Sequence, residues 1–281
     1  MDKKIIDLGY KSGKMLLFGG VYSNLQALES LIKLANDHGI APENCICTGD
    51  IIGYCGQPQE TLETFKNWGA HSILGNVEIQ LRDDQEDCGC DFTTGSRCDG
   101  FSEIWYAFAK ANLHTTTKQY FKSLPDYMIF NYAGKKIGVV HGSYDQVSQF
   151  VFKSTDWNEK KASLHALKSD VIIAGHCGLP FTDQQGDAFW LNPGVIGMPA
   201  NDGTTKTWAM ILDDLDGFEY QHIALSYDYE TAVDQMKKNA LPIEYALTLK
   251  TGLWDNMEIL PAAEKEQQGK EIAFQPVEQE L

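Results

Sequence analysis

The sequence contains no apolar run approaching the roughly 18 residues that would carry a helix across a membrane. Its first residues, MDKKIIDLGYKSGK, lack the apolar core of a secretion signal. Both absences predict a soluble, cytoplasmic chain with no membrane partner. Basic residues are also scarce. Only 23 lysines and arginines stand against 39 acids, for a formal net charge of −16. Such a surface repels phosphodiester backbones beyond direct contact, so nucleic acid is not an expected partner. No internal repeat organises the 281 residues, which suffice for one large domain with an appendage, and nothing in the chain indicates an oligomer.

One further deficit is local. The stretch FGGVYSN, residues 18–24, follows the apolar run Met15-Leu16-Leu17 and leads into a helical pattern. A strand that runs through a glycine turn into a helix usually holds a ligand at the strand's carboxyl end. This turn has the shape of a site but supplies neither an acid nor a histidine.

What the chain does contain is a strand–helix rhythm. Met15–Phe18, Asn44–Thr48, His71–Leu74, Asp170–Ala174 and Ala188–Leu191 read as short strands. Asn24–His38, with Leu25, Leu28, Leu31, Ile32 and Ala35 at helical spacing, and Gln57–Trp68 read as helices. Residues 101–122 are helical again, after an irregular insertion at 79–100. Tyr127–Asn131 pairs with Lys136–Val140 around Ala133-Gly134, and Thr207–Leu212 with Gly217–Ala224. Early alternation followed by late hairpins predicts a layered α/β protein with mixed sheets. The last residues, EKEQQGKEIAFQPVEQEL, are polar and unpatterned, which predicts a loose tail.

Ligand-type residues gather at the strand ends. Gly49-Asp50, Gly75-Asn76, His141-Gly142 and Gly175-His176 each set a polar side chain beside a glycine after an apolar run. Singly, Asp50 and Asn76 are ordinary turn formers. Together they bring a carboxylate, an amide oxygen and two imidazoles to neighbouring strand ends. That mixed nitrogen and oxygen set suits a divalent transition metal such as manganese, zinc, iron or nickel.

The order of these turns resembles the calcineurin-like metallophosphoesterase superfamily, from about Met15 to Gly197. GDIIGY, VVHG and NPG at 192–194 match the family's motifs, and SNLQALESL keeps its first-turn asparagine and following helix. The departures are Gly20 and Tyr22 at the first-turn Asp and His, Val77 in GNVE at the catalytic His, and Gly178 in GHCG at the last metal His. The resemblance implies a four-layer α/β sandwich of two mixed β-sheets flanked by helices. It also implies that one metal site survives whole as Asp50, Asn76, His141 and His176, while the other keeps only the shared Asp50.

The residues then divide as follows. Residues 1–225 are expected to form the metallophosphoesterase-like domain, with the cysteine-rich insertion at 79–100, and 226–281 a helical extension and polar tail. The expected function is hydrolysis of a small phosphomonoester or phosphodiester by a metal-bound water, with Asp50 and His141 acting through that water. Alternatives are a catalytically silent binding or sensor protein, or a cysteine-dependent metalloenzyme on the same scaffold. Tyr22 has three readings: a phenolate ligand to ferric iron, a neutral phenol bonded to a substrate oxygen, or a packing residue in the space a ligand left. The lack of an imidazole at Val77 predicts weakened turnover, since general acid–base assistance is worth about 10²–10⁴ in rate.

Seven cysteines in a chain without a secretion signal argue against a disulfide framework. Cys88, Cys90 and Cys98 share the loop segment DCGCDFTTGSRCDG, and Cys177 adjoins His176. These four are candidates for a second, thiolate-bound zinc or iron site, though only one tight Cys pair occurs. The plainer reading is a loop of free thiols.

Overall fold

Two β-sheets meet face to face through one apolar layer, and helices cover both outer faces. The computed structural model describes residues 3–274. The first sheet has strand order β11-β10-β2-β3-β4, with β2 at Met15–Phe18, β3 at Cys45–Cys47, β4 at His71–Ser72, β10 at Thr207–Asp213 and β11 at Glu219–Leu225. Strands β2, β3 and β4 run parallel, while β10 is antiparallel to both β2 and β11. The second sheet has the order β1-β5-β6-β7-β9-β8. Its strands are β1 (Ile5–Tyr10), β5 (Tyr127–Tyr132), β6 (Lys135–Val139), β7 (Val171–Ile173), β8 (Phe181–Gln185) and β9 (Ala188–Asn192). It too is mixed: β5 is antiparallel to β6 and β8 to β9, and the other pairs are parallel.

The two-residue period of a strand makes the layers. Met15 and Leu17 point into the inter-sheet core with Ile46, Phe130, Val139, Ile173 and Met210. Leu16 and Phe18, one residue out of phase, point to the opposite face. There they meet α1 (Leu25–Asp37) through Leu28, Leu31 and Ala35, and α2 (Pro58–Trp68) through Leu62 and Phe65. Each such leucine contributes about 1.5–3 kcal/mol by leaving water. On the outer face of the other sheet, Ile172 and Trp190 pack against Leu164 and Leu167 of α6 (Trp157–Leu167). Helix, sheet, sheet, helix is the four-layer arrangement expected from the resemblance.

Asn24 explains why α1 begins where it does. Its Oδ1 accepts from the Ala27 N–H at 3.1 Å, a cap worth about 1 kcal/mol, and its Nδ2 donates to the Gly197 carbonyl at 3.1 Å. The same side chain thus starts a helix and ties the β2 turn to the loop after β9. The Gly19 N–H donating to the Gly194 carbonyl, at 2.9 Å, joins the two sheets at their carboxyl ends.

Several boundaries differ from the sequence reading. The insertion is partly helical: α3 runs Asn76–Arg82 and α4 runs Arg97–Ala111, leaving a loop over 83–96. After α5 (Thr117–Ser123), residues 124–126 lead into β5. Beyond β11, α7 (Tyr229–Lys238), α8 (Ile243–Thr251) and α9 (Ala262–Lys265) form the extension. Residues 266–274, expected as loose tail, are tied down. The Gly269 N–H donates to the Asn201 carbonyl at 2.9 Å, and Phe274 stacks on His222 with ring centroids 3.8 Å apart. The rest of the expected tail, 275–281, lies outside the described residues.

Candidate metal centre

Four strand-end turns deliver four donor groups to one point. Asp50 follows β3, Asn76 opens α3 after β4, His141 follows β6 and His176 follows β7. His141 Nε2 lies 3.0 Å from Asn76 Oδ1, 3.1 Å from His176 Nδ1 and 3.2 Å from Asp50 Oδ2. All four residues are buried. Asp50, His141 and His176 form the one group of three or more acidic, histidine or cysteine donors spaced to hold a metal ion among the described residues.

The hydrogen bonds around this point show what it lacks. His141 Nδ1 sits 2.6 Å from the Thr48 carbonyl, which can only accept, so Nδ1 carries the proton. In the neutral ring Nε2 then presents a lone pair toward two oxygens and another imidazole nitrogen. Asn76 cannot turn its amide to help, because its Nδ2 already donates to the Cys88 carbonyl at 2.8 Å and lies 3.3 Å from Cys90 Sγ. Converging lone pairs in a buried pocket need a cation or a proton between them. Burial pulls the His141 imidazole down, but the Asp50 carboxylate, the Thr48 carbonyl and Glu78 outweigh it and raise it above its ordinary value. His176 is pushed down to about 3 by burial and by His141, so its ring stays neutral. Its Nε2 is buried without a hydrogen-bond partner, and Phe150 stacks on the ring at 4.4 Å. The residues present therefore fit a divalent ion, held by Asp50, His141 and His176 with the Asn76 amide oxygen alongside.

Glu78 is the residue that holds Asp50 in place. Its buried carboxylate accepts from the Asp50 N–H at 2.8 Å and the Gly75 N–H at 3.0 Å through Oε2, and from the Ile52 N–H at 3.2 Å through Oε1. Burial, then the Asp50 charge, push its carboxyl up to about 7. Asp50 itself stands at φ +58° and His176 at +62°, left-handed conformations that non-glycine residues rarely adopt. The Glu78 bonds help hold that strained turn.

Gly20, Tyr22 and Gly178, the positions that the resemblance implies have lost a second metal's ligands, are occupied or covered by aromatic rings. A β-carbon on Gly20 would lie 2.3 Å from Tyr22 Cζ, so the Tyr22 ring covers Gly20. Gly178, at φ +78°, lies under the Trp254 indole, 3.4 Å from where its β-carbon would stand. Tyr22 is buried in the apolar core that includes Phe18, Ile52 and Tyr245, and its phenol is pushed well above its ordinary value by burial, then by Tyr54 and Asp50. These surroundings favour the neutral phenol. Val77 is buried and lines the same cavity as Tyr22, Asp50 and His176.

The cysteines are distributed differently from the metal donors. Cys88 and Cys90 are joined as a disulfide beside Asn76. Cys98 Sγ lies 3.2 Å from Asn256 Oδ1, and Cys177 Sγ accepts from Asn192 Nδ2 at 3.2 Å. The structure does not gather the four into one ligand group, although Cys90, Cys98 and Cys177 all line the cavity over His176. Two contributors were not recognised from the sequence. Glu78 stands in GNVE, where nothing in the sequence marks its three backbone bonds, and Trp254, in the extension, has no local signal at all.

Two mixed sheets with an Asp/His donor group at their carboxyl edge define the metallophosphoesterase class of α/β sandwich. Residues 16–214 match the model of the calcineurin-like phosphoesterase superfamily domain, and the chain belongs to that superfamily. An uncharacterized protein of Methanocaldococcus jannaschii is 24% identical over 239 residues, covering 79% of this chain and 91% of the relative. A metallophosphoesterase from Sphaerobacter thermophilus shares the fold at a TM-score of 0.68 and 20% identity, over 86% of this chain and 100% of that one. A hypothetical protein of Pyrococcus horikoshii does so at 0.71 and 18%, over 86% and 99%.

Proposed function

We propose that the protein is a phosphoesterase that works with a single divalent transition-metal ion, manganese, zinc, iron or nickel, on a small phosphorylated molecule. The observation that carries this reading is the convergence of Asn76 Oδ1, His176 Nδ1 and Asp50 Oδ2 within 3.2 Å of His141 Nε2. When bound, the ion supplies Lewis-acid polarisation of the phosphoryl group and acidifies the attacking water. The chain supplies the rest. Thr48 fixes the His141 tautomer through its carbonyl, Glu78 holds the Asp50 turn, and Phe150 shields His176 from water. Such supports typically govern metal affinity by about 10–100-fold. Tyr22 packs in the place of a second ion.

Val77 offers no proton to the leaving group, so esters with good leaving groups are favoured. A second reading, a metal-binding protein without turnover, draws on the same valine and on the rings over Gly20 and Gly178. One experiment separates them. Protein purified without added metal or chelator is subjected to elemental analysis, and turnover of bis(4-nitrophenyl) phosphate is measured on the same sample with each metal. One ion per chain, with turnover lost in both Asp50→Ala and His141→Ala, supports the enzyme. One ion with no turnover supports the binding protein. No ion, even after soaking with each metal, overturns both.

A further inference from the structure

The family match ends at residue 214, yet part of the wall around the metal centre comes from beyond it. Trp254, which follows α8, is fixed at both ends. Its indole N–H donates to the Pro199 carbonyl at 2.8 Å and its backbone N–H donates to Asn201 Oδ1 at 2.8 Å. The indole ring lies against Gly178 and lines the cavity that contains Asp50 and His176. Two other chain segments add Phe150 and Tyr54 to the same cavity. Trp254 is only partly buried and lines the cavity, so part of its indole is open to a ligand, while Phe150 is stacked on His176.

The charge in this cavity is as informative as the rings. Among the described residues no lysine or arginine lines it, and its carboxylates are Asp50 and Asp255. Arg97, which grips Asp255 at 2.8 and 2.9 Å, also lies 3.6 Å from Glu244. Its charge is already matched. A divalent ion offset by Asp50 leaves no more than one positive charge for the phosphate, and the buried Glu78 carboxylate behind Asp50 lowers it further. A phosphodiester carries one negative charge, whereas a phosphomonoester carries nearly two at neutral pH. The second would be left unpaired in an aromatic cavity of a protein already at −16.

We propose that the C-terminal extension builds a subsite for a planar apolar ring esterified to a monoanionic phosphodiester, with Trp254 as the residue that determines this specificity. The proposal rests on the phosphoesterase reading of the metal centre and names the substrate class of that site. The ring slots beside the indole while the phosphate faces Asp50 and the histidines. Stacking on a fixed aromatic wall is worth about tenfold or more in affinity.

The test is a binding titration on the full chain loaded with manganese. Diphenyl phosphate, a monoanion with rings, is compared with dimethyl phosphate, a monoanion without them. Phenyl phosphate, a dianion at about pH 8, completes the set. Diphenyl phosphate is expected to bind about tenfold or more tighter than either. In Trp254→Leu the ratio of diphenyl to dimethyl phosphate affinity is expected to fall severalfold, with one manganese still bound by elemental analysis. Phenyl phosphate binding as tightly as diphenyl phosphate would overturn the charge argument, and with it the proposal. An unchanged ratio in both Trp254→Leu and Trp254→Phe would also overturn it. Turnover of bis(4-nitrophenyl) phosphate is followed separately. Ring-dependent binding without turnover removes the phosphoesterase reading and leaves the subsite, while turnover without ring preference does the reverse.

Discussion

The Tyr22 ring stands directly over Gly20, with its Cζ 2.3 Å from the point a β-carbon at position 20 would occupy. The two residues are one packed unit. An acid at position 20 therefore requires the Tyr22 ring to move.

Restoring the acid alone should therefore be costly. Gly20→Asp overfills the space under Tyr22 and is expected to lose about 1–3 kcal/mol. Gly20→Asp with Tyr22→His removes the clash and should recover part of that loss, a favourable coupling of about 0.5 kcal/mol or more. Urea unfolding of both single variants and the double variant measures it. Additive losses would mean that the Tyr22 ring moves aside freely.

Glu78, itself fully buried, satisfies three backbone donors. Glu78→Ala leaves those N–H groups buried and unpaired and is expected to cost about 3 kcal/mol or more. Because the Asp50 turn then relaxes, manganese affinity should fall about 10–100-fold. Paired urea unfolding and metal titration check this. A stability loss with unchanged metal affinity would confine Glu78 to a structural role.

His222 makes the fold acid-sensitive away from the metal centre. Its imidazole donates through Nε2 to the Asn192 carbonyl at 2.8 Å, and burial pushes it down to about 4. The unfolded chain takes up this proton near pH 6.5, the folded chain only near pH 4. The unfolded state therefore binds more protons between those values. The contribution is complete above about pH 6.5 and is lost as pH falls toward 4, about 3 kcal/mol in all. In His222→Gln the loss of stability between pH 7 and about 4 should be smaller by that order. Urea unfolding at both pH values tests it.

Thiol counting tests the cysteine arrangement. Cys45, Cys47, Cys55, Cys98 and Cys177 are free and buried, and Cys88 is bonded to Cys90. The native chain should react slowly with a chromogenic disulfide reagent. The denatured chain should show five thiols without reductant and all seven after reduction. Seven without reductant would mean that Cys88 and Cys90 are a dithiol.

The sequence made the inner framework legible because buried strands and their glycine turns repeat one local pattern. Asp50, Asn76, His141 and His176 each end an apolar run, and that position alone brought them into one candidate set. Outer strands were harder to see. In β1 the exposed Ile5 beside Ile6 breaks the apolar–polar alternation that Asp7 and Leu8 continue, and in β8 the run Thr182–Gln185 is polar because it forms a sheet edge. The ring over Gly178 was not legible either. Trp254 reaches Gly178 through tertiary packing, and no spacing rule connects them. The left-handed turns at Asp50 and His176 carry ordinary side chains, so nothing in their residue type announced the strain.

The pairing of β2 with β10 also governs how the chain can be made. Leu16 aligns with Ile211, so the strand that carries the first site turn must wait for synthesis to pass the end of β10. Until then one edge of β2 is an unpaired apolar template on a nascent chain, open to other unpaired strands. Ribosome-bound chains stopped before residue 207 should engage holdase chaperones, and release of those chaperones should coincide with emergence of the β10–β11 hairpin.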